Sequence, residues 1–102
     1  MLTYTVRIEL PSEALADELA RWFEDDHAGD VVRAGALDAE VVRLDGAPPV
    51  LEARYHFASR EAFAAYEAGP AARLRAEGLA RFGPERGVRM SRSIGEVLVR
   101  RG

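Results

Sequence analysis

The chain has 102 residues, the length of one domain, and no cysteine, which removes disulfides, thiolate metal sites and cysteine nucleophiles. Hydrophobic residues make up 48% and charged residues 30%, and no apolar run approaches the roughly 18 residues of a membrane span. The net charge of −3 argues against a dedicated nucleic-acid binder, which carries a basic face. Met1-Leu2-Thr3-Tyr4 offers neither a basic leader nor an apolar stretch, so no signal peptide is expected. The absence of cysteine suits a reducing cytoplasm.

Residues 3–10 alternate, with Tyr4, Val6, Ile8 and Leu10 pointing one way and Thr5, Arg7 and Glu9 the other. That is the period of a half-buried strand. Pro11-Ser12 ends it, and Ser12 is placed to cap a helix with Glu13 in its first turn. Leu15, Leu19, Trp22 and Phe23 recur at helical spacing, so a helix is expected over residues 13–27. Asp17–Arg21 and Arg21–Asp25 would pair on its outer surface. Gly29-Asp30 is expected to break and recap it, before a short turn that ends at Gly35.

Strands are expected at Leu37–Leu44 and Val50–Ala58, joined by the turn-rich Asp45-Gly46-Ala47-Pro48-Pro49. Ser59 then caps a helix carrying Phe63 and Tyr66, Gly69-Pro70 interrupts it, and a second segment runs from Ala71 to about Phe82. Arg73–Glu77 and Glu77–Arg81 would pair along that segment. Gly78 inside it costs about 1 kcal/mol relative to alanine, which points to a close approach at that position. A last strand is expected from about Arg89 to Val99. The order βαββαβ is the ferredoxin-like α+β plan, an antiparallel four-stranded sheet with its helices on one face.

The helices would cover the face of Val6, Ile8, Ala53, Tyr55 and Phe57. The other face carries Arg7, Glu40, Val42, Leu44, Glu52, Arg54 and His56. Val42 and Leu44 are out of place in bulk water, and the charges are out of place in a dry interface. A partly wet space between the facing sheets of a homodimer fits the mixture. Residues 9–30 hold eight acids against Arg21, whereas residues 73–101 hold eight arginines against three acids. These halves either pair within one protomer, pair across a symmetric dimer, or are simply solvated. All fourteen basic residues are arginine, so lysine chemistry is excluded.

Three stretches carry a resemblance: residues 22–37 (WFEDDHAGDVVRAGAL), the pattern Tyr-x-Phe-x-Ser-Arg-Glu-Ala-x-x-x-Tyr over residues 55–66, and residues 73–82 (RLRAEGLARF), with Ser91-Arg92 beyond them. Together they resemble the bacterial domain-of-unknown-function family four-two-eight-six, of the dimeric α+β-barrel superfamily. The resemblance implies sheets paired into a barrel and small ligands held between sheet and helices. Relatives in that superfamily include cofactor-free quinone-forming monooxygenases, lactone isomerases, haem-handling enzymes and stress proteins. His56 departs from the family pattern, which more often places an aromatic or acidic residue there.

His27 is the candidate catalytic residue. At the end of the first helix, among Asp25, Asp26 and Asp30, it is either a protonated structural histidine or a general base. The second reading sets it at the mouth of a cavity lined by Tyr4, Trp22 and Tyr55, the candidate ligand-binding residues. Trp22 and Phe23 otherwise read as core. Arg92 could clamp an anionic ligand or take part in an edge-strand or intersubunit ion pair. His27, Asp26, Asp30 and His56 lack metal-ligand spacing, so no metal is expected. Either histidine could serve as an axial haem ligand, but nothing else argues for haem and no resident cofactor is expected. Ser12 and Ser59 are accounted for as caps, and Ser91 and Ser93 lie on a strand without a nucleophile elbow. Two functions stand: a homodimer that binds a small molecule, or a cofactor-independent monooxygenase or isomerase of the antibiotic-biosynthesis monooxygenase type. The second would act on an aromatic or polyketide-like substrate. A purely structural or partner-binding role is the third.

Overall fold

The computed structural model describes residues 1–102. Strand β1 (Leu2–Glu9) buries Leu2, Tyr4 and Ile8 and leaves Arg7 exposed, as its alternation requires. It lies between β3 (Val50–Phe57) and β4 (Arg89–Glu96), while β2 (Asp38–Arg43) pairs with the far side of β3. All three pairings are antiparallel, giving the order β2-β3-β1-β4. Leu51, Ala53, Tyr55 and Phe57 of β3 face the core, and the residues between them face the open side.

β4 stops short of the expected Val99 for lack of a partner. Leu2 opposes Glu96 at the start of β1, so only Met1 remains, accepting a 2.9 Å bond from the Val97 amide. Beyond it Leu98 and Val99 are 83% and 77% exposed.

The largest departure from expectation is in the first helical run. Helix α1 (Glu13–Trp22) passes through a π-helical turn (Phe23–His27) into α2 (Ala28–Arg33) with right-handed helical backbone at both junctions. Gly29-Asp30 therefore does not break it. A helical glycine costs about 1 kcal/mol, whereas burying a side chain such as Val31 contributes roughly 1.5–3 kcal/mol, and Val31 is only 1% exposed. The run ends at Gly35, whose φ of +138° suits a residue without a Cβ.

Helices α3 (Arg60–Ala68) and α4 (Ala71–Arg81) lie either side of Gly69-Pro70, and a 3₁₀ turn (Pro84–Arg86) leads into β4. Ser12 and Ser59 cap as expected, their Oγ atoms accepting from the amides of Leu15 (3.2 Å) and Ala62 (3.1 Å). The helices cover one sheet face, where Phe57 meets the rings of Phe63 and Tyr66, each at 5.1 Å between centroids.

Charge pairing differs in detail from the helical pattern. Arg73–Glu77 forms at 2.9 Å, but Asp17 is taken by Arg43 of β2 at 2.7 Å, along with Glu13, rather than by Arg21. Between the acidic early half and the basic late half, Glu18–Arg86 forms within the protomer at 3.0 Å. On the open sheet face Arg54 reaches Glu52 at 2.8 Å and His56 meets Asp38 at 2.8 Å.

Phe57 is fully buried against those two rings, so Phe57→Ala should lower unfolding stability by about 3–5 kcal/mol. Urea denaturation checks this as a lower midpoint at unchanged slope. Phe57→Leu, which keeps most of the volume, should lose less.

Candidate functional site

Between the sheet and the helices lies a cavity of about 200 Å³. Its floor is the sheet: Tyr4, Val6 and Ile8 from β1, Tyr55 from β3, and Met90 and Arg92 from β4. Its roof is helical: Trp22, Phe23, His27 and Val31 from the first run, Tyr66 from α3, and Leu74, Arg75, Gly78 and Leu79 from α4. All five residues singled out in the sequence (Tyr4, Trp22, His27, Tyr55 and Arg92) meet here. His56 does not, because it lies on the open face against Asp38.

The π turn shapes one wall. In an α-helix, residues five apart point about 140° away from each other. The widened turn, closed by the Ala28 amide donating to the Phe23 carbonyl, instead brings His27 round onto Trp22. Their rings stack at 4.3 Å between centroids and 15° between planes, and Phe23 meets His27 edge-on at 5.4 Å. Such turns recur at functional sites. Gly78 of α4 also approaches Trp22: a Cβ there would lie 3.4 Å from Cη2 of the indole, which is the close approach expected at that glycine.

This setting corrects one reading of His27. It is not a protonated histidine at a helix end, because the helix continues through it. Burial lowers its pKa from the ordinary 6.5, outweighing the pull of Asp30 and Glu77. The imidazole is therefore neutral at pH 7. Its Nδ1 is shut away from solvent and has no hydrogen-bond partner, whereas Nε2 keeps contact with the exterior.

Three tyrosines form the other wall. Tyr4 stacks on Tyr55 at 5.8 Å and lies 6.4 Å from Tyr66. Burial, with the neighbouring phenols, drives the Tyr55 hydroxyl far above the usual tyrosine range and pushes Tyr66 up to about 12. Both therefore stay protonated. Tyr4 accepts a 3.3 Å bond from Arg92 Nη1, and the guanidinium lies 5.9 Å from the Tyr4 ring centre. Arg92 Nη1 also donates to Glu67 at 3.1 Å, and Arg75 donates to the same carboxylate at 3.1 and 3.2 Å. Arg92 is thus at once an intraprotomer ion pair and part of the cavity wall.

Sequence reasoning did not single out Tyr66 or Arg75 for the site. Tyr66 sits at a core spacing of α3, and Arg75 reads as one more charge on α4. No three metal-ligating side chains converge.

No family model matches the chain, and no curated protein matches it. Solved structures do. The heme-degrader MhuD from Mycobacterium tuberculosis, with two hemes bound in its active site, is similar with 24% identity, full coverage of both chains and a TM-score of 0.73. A dimeric ferredoxin-like protein from an uncultured marine organism matches with 8% identity, 97% of this chain, 95% of that chain and a TM-score of 0.66. An ethyl tert-butyl ether d (ethd) family protein from Bacillus halodurans matches with 16% identity, 96% of this chain, 100% of that chain and a TM-score of 0.69. These likenesses establish the class: a ferredoxin-like α+β fold, as expected from the order of elements.

Two predictions follow from the Trp22 wall. Gly78→Ala should raise stability by about 0.5–1 kcal/mol, because helix propensity improves and the methyl meets Trp22 at ordinary contact distance; a higher melting temperature would show it. For His27, the folded pKa lies below the unfolded value, so the unfolded state binds more protons just below pH 6.5. Its stabilisation is therefore whole above pH 6.5 and declines as the pH falls toward the lowered value. Unfolding free energies measured from pH 7.5 to 5 should fall less steeply for His27→Gln than for the parent chain.

Proposed function

We propose that the protein is a homodimer that binds a small, largely apolar molecule in the cavity between sheet and helices. The observation that carries this is the cavity itself, about 200 Å³ with eleven hydrophobic residues among fifteen in its lining. Binding sites are typically apolar clefts with a few placed polar groups. An apolar cavity of about 150 Å³ accommodates benzene, so this one suits a single ring with short substituents. The likeness of RLRAEGLARF to domain-of-unknown-function family four-two-eight-six agrees with this reading and adds no activity to it.

The size separates this chain from the bound state of the heme-degrader. Pockets for drug-sized ligands run roughly 300–1,000 Å³, and a tetrapyrrole is larger still. A haem exceeds the space this cavity encloses.

The homodimer draws support from two features: the mixed open face with Val42 half-buried among charges, and the β4 edge where Ile94 is 50% exposed. A protein of the same fold is described as dimeric. The lack of cysteine fits a cytoplasmic setting.

A second reading, a cofactor-independent monooxygenase or isomerase with His27 as base, is favoured by one observation. The imidazole borders the cavity in its neutral form, with Trp22 and Tyr55 offering ring surfaces to an aromatic substrate. Loss of turnover in His27→Gln with ligand affinity retained would support it; full turnover in that variant rules it out.

Native mass spectrometry of the purified protein tests the main reading. A dimer is expected, and any retained small molecule appears as added mass; a monomer overturns the dimer. Trp22 is the single tryptophan and lines the cavity, so its fluorescence should respond to benzyl alcohol, a single ring that does not absorb where tryptophan is excited. Gly78→Ala, which places a methyl in the lining, should weaken that response by roughly fivefold.

A further inference from the structure

We infer that the molecule held in the cavity is a single-ring organic acid, its carboxylate received by Arg92 with Arg75 beside it. This rests on the small-molecule reading above and names the chemical class. Two guanidiniums border the cavity, and one carboxylate, Glu67, serves both: Arg75 donates to its Oε2 at 3.1 and 3.2 Å, and Arg92 Nη1 to its Oε1 at 3.1 Å. The cluster of three therefore keeps one uncompensated positive charge at the edge of an apolar space. Glu67 also stands in the last turn of α3, where the helix dipole disfavours an anion. Its position is held by the arginines, and it neutralises only one of them.

The donor geometry is equally specific. Arg92 uses Nη1 alone, for Glu67 and the Tyr4 hydroxyl, which leaves its Nε and Nη2 edge without an acceptor in the chain. That edge is the one a carboxylate takes bidentately. Arg92 pairs across from Val6 and lies beside the Tyr4 ring, so an acid seated there extends its body over Tyr4 and Tyr55. The hydroxyls of Tyr55 and Tyr66 make no hydrogen bond within the chain and remain donors for an oxygen of the ligand. The volume limits the body to about one ring.

Calorimetric titration of the full chain with phenylacetate and its uncharged isostere phenylacetamide tests the inference without any variant. The acid should bind at least roughly tenfold more tightly. Arg92→Gln should abolish the preference by weakening the acid at least roughly tenfold more than the amide, while Glu67→Gln should strengthen acid binding. Equal affinity for acid and amide overturns the inference and leaves the small-molecule reading intact. Retention of the preference in Arg92→Gln also overturns it. Failure of both probes overturns it as well: if benzyl alcohol still binds, the cavity reading survives, and if it fails too, both fall together.

Discussion

The placement of Trp22 is the constraint on which the helical side of the molecule depends. Its indole is 9% exposed, with His27 stacked on it at 4.3 Å and the rings of Phe82 at 5.4 Å and Phe23 at 5.5 Å tilted against it. Two departures from an ordinary helix accompany it. The first run widens into a π turn that brings His27 alongside, and α4 carries a glycine where a side chain would enter the lining. Each departure weakens a helix locally, by about 1 kcal/mol for the glycine. Burial of the surrounding aromatic surface more than offsets this.

With one wall formed by Trp22 and its neighbours and the other by three tyrosines, the cavity is ringed by flat, rigid groups. Polar function is then confined to a few atoms. On the tyrosine side lie Arg92 and Arg75, tied by Glu67; on the tryptophan side lies a neutral His27 that feels Asp30 and Glu77. Burial outweighs those two carboxylates because the charged imidazolium would lose solvent that acids at a distance do not replace. An apolar space with unlike polar groups on its two sides orients a ligand as well as holding it.

Much of this was legible in the residues. The alternation of β1 and β3 fixes which face is buried, since a slip of one residue would turn Arg7 and Arg54 inward. Ser12 and Ser59 mark helix starts because few other residues satisfy the free amides there. Gly78 stood out because a helical glycine needs a reason. The π turn left no such trace: patterns are sought at three and four residues, and Trp22 and His27 are five apart. The break expected at Gly29-Asp30 failed for a related reason, because the gain from burying Val31 is tertiary and a local pattern omits it. Tyr66 was visible as core, but its hydroxyl borders the cavity only once α3 is set against β1. Asp17 went to Arg43 rather than Arg21 because the end of β2 passes beside α1, a proximity that helical spacing cannot contain.

The two histidines show how the sheet divides the molecule's chemistry. Residues 55 and 56 are adjacent in β3, so Tyr55 enters the cavity and His56 faces the other way, bound to Asp38. His27 is thus alone in its site, and no two-histidine mechanism or ligand set can be assembled from this chain. A partner seated on the open face would meet Arg7, Glu52, Arg54 and His56 without reaching the cavity floor, which lies on the reverse of the same strands. A partner on that face and a ligand in the cavity would thus draw on opposite faces of one sheet, coupled through the backbone of the strands they share.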